Sequence, residues 1–287
     1  MASAEAAAAA PAARGRSRSP PANDLAAAAA TLPVRQAAAD VLTTMHAGAV
    51  SIVIGETGSG KTTQLPQLLL DEPGLLPADA AVAVTQPRRV AAIAVARRVA
   101  AERGGRIGGA VGYAVRFDEC SSSATRLKYL TDGTLLREML TDPELRRYAA
   151  VVLDEAHERS LHTDVLFALL KRLAAARAGG AQPLKVVVMS ATLDAGKLAR
   201  FFGGCPVLTV PGRQFPVELV YSAEEHGRDY VAAAAAVAAD AHEGRPPGDI
   251  LIFLAGQAEV EKCARLVGEL VRCFAPAALH MQAGTGG

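Results

Sequence analysis

The segment Gly55-Glu56-Thr57-Gly58-Ser59-Gly60-Lys61-Thr62 constrains this chain more than any other. It follows an apolar, β-branched run at 49–54 and precedes a run of helical spacing at 62–70, which stops near Pro73 and Gly74. An apolar run ending in glycine reads as a buried parallel strand, because a strand covered on both faces needs no polar alternation. Gly55, Gly58 and Gly60 permit backbone angles closed to other residues. Successive N–H groups can therefore turn toward one anion at the start of the next helix. Lys61 adds a point charge and Thr62 a hydroxyl suited to magnesium. Strand, glycine-rich turn and helix in this order imply a cradle for nucleotide phosphates over 55–62, with Thr63 beside it. A glycine turn with a surface lysine is the bland alternative.

The same alternation repeats. Strands are expected at 81–85, 125–130, 149–153, 185–189 and 207–210, with helices at 33–47, 89–103, 133–140, 163–176 and 195–202. This predicts an α/β fold with a doubly wound parallel sheet. Ligands of such sheets gather at the carboxyl ends of the strands, where further chemistry-bearing residues fall. Asp154 and Glu155 close the strand at 149–153. Asp154 suits a magnesium ion held mostly through water, and Glu155 an attacking water to be oriented or deprotonated. An acidic helix cap is the competing reading. His157, two residues on, is placed to sense a γ-phosphate, although a lone histidine is more often a surface or packing residue. Ser190 and Thr192 close the strand at 185–189, where small hydroxyls can bond the acidic pair or cap a helix.

Other strand ends suit a polynucleotide. Arg88 and Arg89 follow the strand at 81–85 and fit a phosphate backbone, an exposed charge pair being the alternative. Thr131, with Asp132 and Gly133, could bring backbone N–H groups to another phosphate. Arg116 and Phe117, near Tyr113, form an aromatic–basic cluster suited to base stacking, with Tyr113 itself more at home in a core.

Composition narrows the classes. The formal net charge is +1, so any nucleic-acid contact must come from local patches and not from bulk charge. The hydrophobic fraction is 51% with no Trp, which predicts an aliphatic, alanine-rich core. Cys120, Cys205, Cys263 and Cys273 form no CxxC pair and suggest thiols in a reducing compartment. No run of about 18 uncharged apolar residues predicts a membrane helix, so no membrane partner is expected. Residues 1–31 are rich in Ala, Arg and Ser and poor in large side chains, so they are expected to be a disordered tail. A transit peptide, an Arg-Ser tail of a nuclear protein and a plain alanine-rich tail all fit it. After Pro211 a strand at 215–221, a helix at 230–242, a linker at 244–248, a strand at 249–254 and a helix at 257–273 suggest the beginning of a second α/β domain. The expected domains are therefore 32–212 and an incomplete 213–287.

The chain resembles the DEAH-box RNA helicases of superfamily 2. The resemblance rests on GETGSGKTTQLPQ (55–67), TQPRRVAAIAVARRVA (85–100), VGYAVRFDE (111–119), LKYLTDGTLLRE (127–138), VVLDEAHERSLHTDVLFALLK (151–171), KVVVMSATLD (185–194) and GDILIFLAGQAEVE (248–261). It implies RecA-like domains, ATP with magnesium, and single-stranded RNA read with little sequence preference. Gly55, Glu56, Thr57, Gly58, Ser59, Gly60, Lys61, Thr62 and Thr63 would bind the nucleotide, and Arg98 resembles the family's arginine that stacks on adenine. Lys61, Asp154, Glu155 and His157 would carry hydrolysis, with Thr62, Asp154 and Glu155 at the metal. Arg88, Arg89, Arg116, Phe117 and Thr131 resemble RNA contacts, and Ser190 and Thr192 the coupling motif. Gln257 falls in the first motif of the second domain, where Ala255 departs from the usual Pro or Thr.

Beyond Glu261 the family's later motifs, including its arginine fingers, are not found, and the chain is expected to be a fragment. Such an arginine is worth roughly 10³–10⁵ in rate in related phosphate chemistry, so a module that binds ATP and RNA without turnover is the alternative expectation. A DNA-translocating or transport ATPase fits the TQPRR and LTDG words less well. The resemblance further suggests stimulating helper proteins and a nuclear or nucleolar setting, with cytoplasm and organelles left open.

Overall fold

A computed structural model describes residues 22–191, 195–212, 215–222 and 229–274. The chain divides after Phe215 into two units. The division lies within the stretch that the sequence reading took for an inter-domain strand.

The first unit is built on strand–helix repeats. Three short helices, α1 (Ala22–Ala30), α2 (Pro33–Gln36) and α3 (Ala38–Ala47), lead into β1 (Val50–Gly55) and α4 (Lys61–Asp71). Then come β2 (Ala81–Gln86), α5 (Arg89–Glu102), β3 (Val111–Val115), β4 (Asp118–Cys120), β5 (Leu127–Thr131) and α6 (Asp132–Thr141). β6 (Tyr148–Leu153), a 3-10 turn (Ala156–Glu158), α7 (Leu161–Arg177), β7 (Lys185–Ser190), α8 (Ala195–Phe201) and β8 (Val207–Val210) complete it. The sheet order is β4-β3-β5-β2-β6-β7-β1-β8, parallel throughout except for the β3–β4 pair.

Both faces of the sheet are covered, and alternate residues of one strand serve opposite layers. Val53, Val82, Val84 and Val152 join the layer containing Leu65, Leu69 and Val99 from α4 and α5. Ile52, Ala83 and Val151 join the layer containing Leu135, Leu166 and Leu170 from α6 and α7. This is the doubly wound parallel arrangement expected from the strand–helix alternation, and it agrees with the RecA-like domain that the resemblance implies.

The structure corrects four local expectations. Residues 22–30 of the supposed tail form α1, which packs on α5 with Leu25 and Ala29 buried, because alanine-rich faces let helices approach closely; residues 1–21 lie outside the described residues. The helix at 33–47 breaks at Ala37, and its first turn is pinned where the Val34 N–H donates to the Ser59 carbonyl at 3.0 Å. The β3–β4 hairpin was not anticipated. Finally, 215–221 and 249–254 are extended or irregular and pair with no strand among the described residues, leaving Val217, Leu219, Tyr221, Leu251 and Phe253 exposed.

The second unit contains α9 (Tyr230–Gly244) and α10 (Gln257–Phe274), which pack together around Val231, Ala235 and Cys263. Ile252 and Leu254 rest on that cluster without ladder bonds. Among the described residues no helix is long and apolar enough to cross a membrane.

Candidate nucleotide and nucleic-acid site

The loop between β1 and α4 has the expected backbone at two of its three glycines, whereas Gly55 ends β1 as an ordinary strand residue. Gly58 and Gly60 lie at φ 84° and 88°, the left-handed region that favours glycine. A Cβ on Gly60 would also come within 2.9 Å of Leu32 Cδ1. Lys61 opens α4 and is 7% exposed. Its ammonium donates to the carbonyls of Gly55 and of Glu56, the latter at 2.9 Å, with Ser59 Oγ at 3.4 Å. Burial lowers its pKa, against the attraction of Asp154, Glu155 and Glu56. The lysine thus folds back onto neutral carbonyls of its own loop, acceptors that a phosphate oxygen would outcompete as a charge-assisted partner.

Opposite stands Asp154, 2% exposed at the end of β6. Its Oδ2 accepts from Thr62 Oγ1 at 2.6 Å and from Gln86 Nε2 at 2.5 Å, and its Oδ1 accepts from the Glu155 N–H at 2.8 Å. Burial nevertheless pushes this carboxyl up to about 6, the bonds from Thr62 and Gln86 pulling the other way. The oxygen donors Thr62 and Asp154 therefore already meet, which fits a hard cation such as magnesium. Tyr129 is fully buried and donates to the Thr62 carbonyl at 3.0 Å, bracing the first turn of α4. Sequence reasoning missed Gln86 and Tyr129. A polar Gln ending the fully buried strand β2 was the available signal for the former; Tyr129 gave none.

Glu155 sits at φ 51°, an uncommon angle for a residue with a side chain, and turns the chain directly after β6. His157 Nδ1 lies 3.5 Å from both Glu155 Oε2 and the Ala191 N–H. The amide can only donate, so in the contact with Ala191 the His157 Nδ1 is the acceptor. His157 thereby touches the segment leaving β7, whose last residue, Ser190, is fully buried. Thr192 lies outside the described residues.

The residues proposed for polynucleotide contact are exposed or half-buried. Arg88 pairs with Glu158 at 3.2 Å while 77% of its side chain stays accessible. Arg89 begins α5 and is exposed. At the β3–β4 turn Phe117 is 87% exposed, with the Arg116 guanidinium 4.8 Å from its ring centre. Tyr113 is buried and donates to Asp118, as its core reading required. Thr131 ends β5, its Oγ1 sharing a 2.8 Å bond with Thr134.

Arg98 lies on α5 in a 2.7 Å bond to Glu102, whose other oxygen accepts from Gln64 and Gln67 of α4. A small cavity of about 260 Å³ is lined by Gln64, Gln67 and Glu102 together with Arg35, Ala29 and Ala30. A larger groove of about 720 Å³ between α6 and α7 is mostly apolar and touches the strand-end residues only at Gly133.

Strand order arranges these pieces in a row. The carboxyl ends of β3, β5, β2, β6, β7 and β1 are neighbours in that sequence across the sheet. They carry, in turn, Arg116 and Phe117, Thr131, Arg88, Asp154 and Glu155, Ser190, and the phosphate loop. A phosphate loop and an acidic pair on parallel strands in the interior of a RecA-like sheet, with β7 between them, define a P-loop nucleoside triphosphatase fold. The chain belongs to the DEAD/DEAH box helicase family, whose model matches residues 33–201, more than half of its length. It is similar to the DEAH/RHA helicase HrpB of Escherichia coli, whose crystal structure aligns with a TM-score of 0.73 at 34% identity over 84% of this chain. The match covers 30% of the HrpB chain, so the present sequence spans less than a third of that relative. Asp154-Glu155-Ala156-His157 places it on the DEAH branch.

Proposed function

We propose that this chain binds ATP with magnesium and single-stranded RNA along one edge of the sheet and couples ATP hydrolysis to remodelling of RNA or RNA–protein assemblies. The observation that carries the reading is the row of strand ends. It sets exposed basic and aromatic residues on one side of the acidic pair and the phosphate loop on the other.

In this reading Lys61 leaves the Gly55 and Glu56 carbonyls for phosphate oxygens. The loop amides from Gly58 to Thr62, with Thr63 behind them, orient the triphosphate. Thr62 and Asp154, already bonded to each other, would hold magnesium beside Glu155. Magnesium, when bound, neutralises charge building on the phosphate oxygens. Glu155 accepts the proton of the attacking water, and the angle at φ 51° keeps its carboxylate at the head of the turn after β6. His157, in contact with Ala191, passes changes at the acidic pair to the segment after Ser190. Arg98 serves the base end of the nucleotide.

Arg88, Arg89 and Thr131 take phosphate and sugar, while Phe117, backed by Arg116, offers a stacking face. Such contacts position a strand without reading its sequence. Stimulation by helper proteins and a nuclear or nucleolar setting belong to the same reading.

The test is ATP turnover by the purified chain with and without single-stranded RNA. RNA-stimulated turnover is expected, and Lys61→Ala should abolish ATP binding. Glu155→Gln should keep binding and remove turnover. Unchanged ATP affinity in Lys61→Ala would sink the phosphate assignment. Binding of both ligands without turnover would leave an ATP- and RNA-dependent binding module.

A further inference from the structure

The turn that opens α6 and the turn that opens α7 are tied together by a side chain that the proposed chemistry does not use. Asp132 is the first residue of α6, directly after Thr131, and is 4% exposed. Its Oδ2 accepts from Thr163 Oγ1 at 2.5 Å and from Ser160 Oγ at 3.3 Å. Ser160 caps α7 by accepting from the Thr163 N–H at 3.0 Å, and the two hydroxyls lie 2.7 Å apart. Ser160 ends the short loop that begins with Glu155 and runs through His157, and Thr163 lies in the first turn of α7. A second contact joins the same turns: a Cβ built on Gly133 would lie 3.8–4.0 Å from the His162 ring, so the backbone at the head of α6 faces the His162 side chain from α7.

The other oxygen of this carboxylate, Oδ1, is buried with no partner among the described residues. A buried polar group satisfied on one side only is a place where a small displacement changes the bonding pattern at low cost. The link also spans the two functional halves of the sheet edge. One side of Asp132 is the proposed RNA contact Thr131, and across the bond is the loop after the acidic pair. The neighbouring Arg88–Glu158 pair spans the same two halves but is exposed, a class of contact that contributes little.

We propose that Asp132 is a positioning residue that carries RNA occupancy at the head of α6 to the loop following Glu155, so that RNA and nucleotide alter each other's affinity through the Asp132–Ser160–Thr163 cluster. Its carboxylate, held by Thr163 and Ser160, touches neither ligand. The inference rests on the proposed ATP and RNA binding and adds to it the route by which the two sites communicate.

Coupling between sites is reciprocal, so a binding experiment tests it without any need for turnover. The affinity of the full chain for a magnesium complex of a non-hydrolysable ATP analogue is measured with and without a saturating short oligouridine RNA. RNA affinity is then measured with and without the analogue. The unaltered chain is expected to show the same coupling factor in both directions, about fivefold or more. Asp132→Asn should bring that factor to near one while each separate affinity stays within about twofold. Thr163→Val, which removes the 2.5 Å donor from the α7 side, should do the same and decides the matter if Asp132→Asn does not fold.

Coupling that survives both substitutions overturns the proposal, as does an unaltered chain that binds both ligands independently. Loss of the separate affinities in the variants would reduce the cluster to a structural role and also overturn it. An unaltered chain that fails to bind one ligand would instead refute the proposed function, and the positioning role with it.

Discussion

Asp154 concentrates the physical conflict of the site in one residue. Three donors from Thr62, Gln86 and the Glu155 backbone hold it, yet the low-dielectric surroundings still favour its neutral form and move the carboxyl to about 6. Only the ionised form suits magnesium. With the pKa raised, the protonated fraction grows as pH falls through that value, so cation affinity declines on the acid side and is level above about 7. The expected outcome is a loss of magnesium-dependent ATP-analogue binding approaching tenfold per pH unit below about 6. Asp154→Asn should be weak and pH-independent over the same range. Binding titrations between pH 5 and 8 check this, and an unaltered chain whose affinity is flat down to pH 5 contradicts it.

Among the elements, the β3–β4 hairpin depends on one glycine. A Cβ on Gly112 would lie 2.6 Å from the Cys120 carbonyl oxygen and 3.1 Å from Ser121, so β4 must move to admit it. Gly112→Ala is expected to destabilise the first unit by about 1–3 kcal/mol in urea denaturation. Because the hairpin turn carries Arg116 and Phe117, it should also weaken RNA binding while leaving ATP affinity unchanged. A variant as stable as the unaltered chain would show that β4 yields freely.

The hairpin also marks where sequence reading stops. β1, β2, β6 and β7 were legible because each is an apolar run leading into residues with recognisable chemistry. β4, Asp118–Cys120, is a charged edge strand, and charge is how edges avoid pairing with other chains, so it carries no apolar signal. Residues 22–30 misled in the opposite sense, since a single leucine and several alanines look too poor to order until α5 supplies a surface. Residues 215–221 and 249–254 have strand-like composition, but a strand needs a partner ladder as well as a pattern. Thr62, Asp154 and the lysine of the phosphate loop could be read from spacing. Tyr129 and the Asp132 cluster could not, because their roles exist only once separate turns are brought together, and Gln86 offered only its polar side chain at the end of an apolar strand.

At the scale of the whole molecule, every described residue assigned to nucleotide or RNA falls before the division at Phe215, and both apolar layers of the sheet lie within that first unit. A chain limited to residues 22–215 is therefore expected to unfold in one cooperative transition. It should bind the ATP analogue within about twofold of the 287-residue chain. Calorimetry and binding titration check this together. A non-cooperative melt, or affinity lost with the second unit, would mean that residues beyond Phe215 complete the fold or the site.

The adjacency of β6, β7 and β1 has one more consequence. Neighbouring strands stand about 4.8 Å apart, so the two strands that carry the acidic pair and the phosphate loop, β6 and β1, are held two rungs of main-chain ladder, about 10 Å, apart by β7, while Thr62 and Asp154 reach across that span to meet. That span is a fixed gauge. No side chain can lengthen it, and it holds as long as the β6–β7 and β7–β1 ladders persist. The spacing of the two motifs and the integrity of the domain are therefore expected to disappear at the same temperature, leaving any finer adjustment to the turns that ride above the gauge.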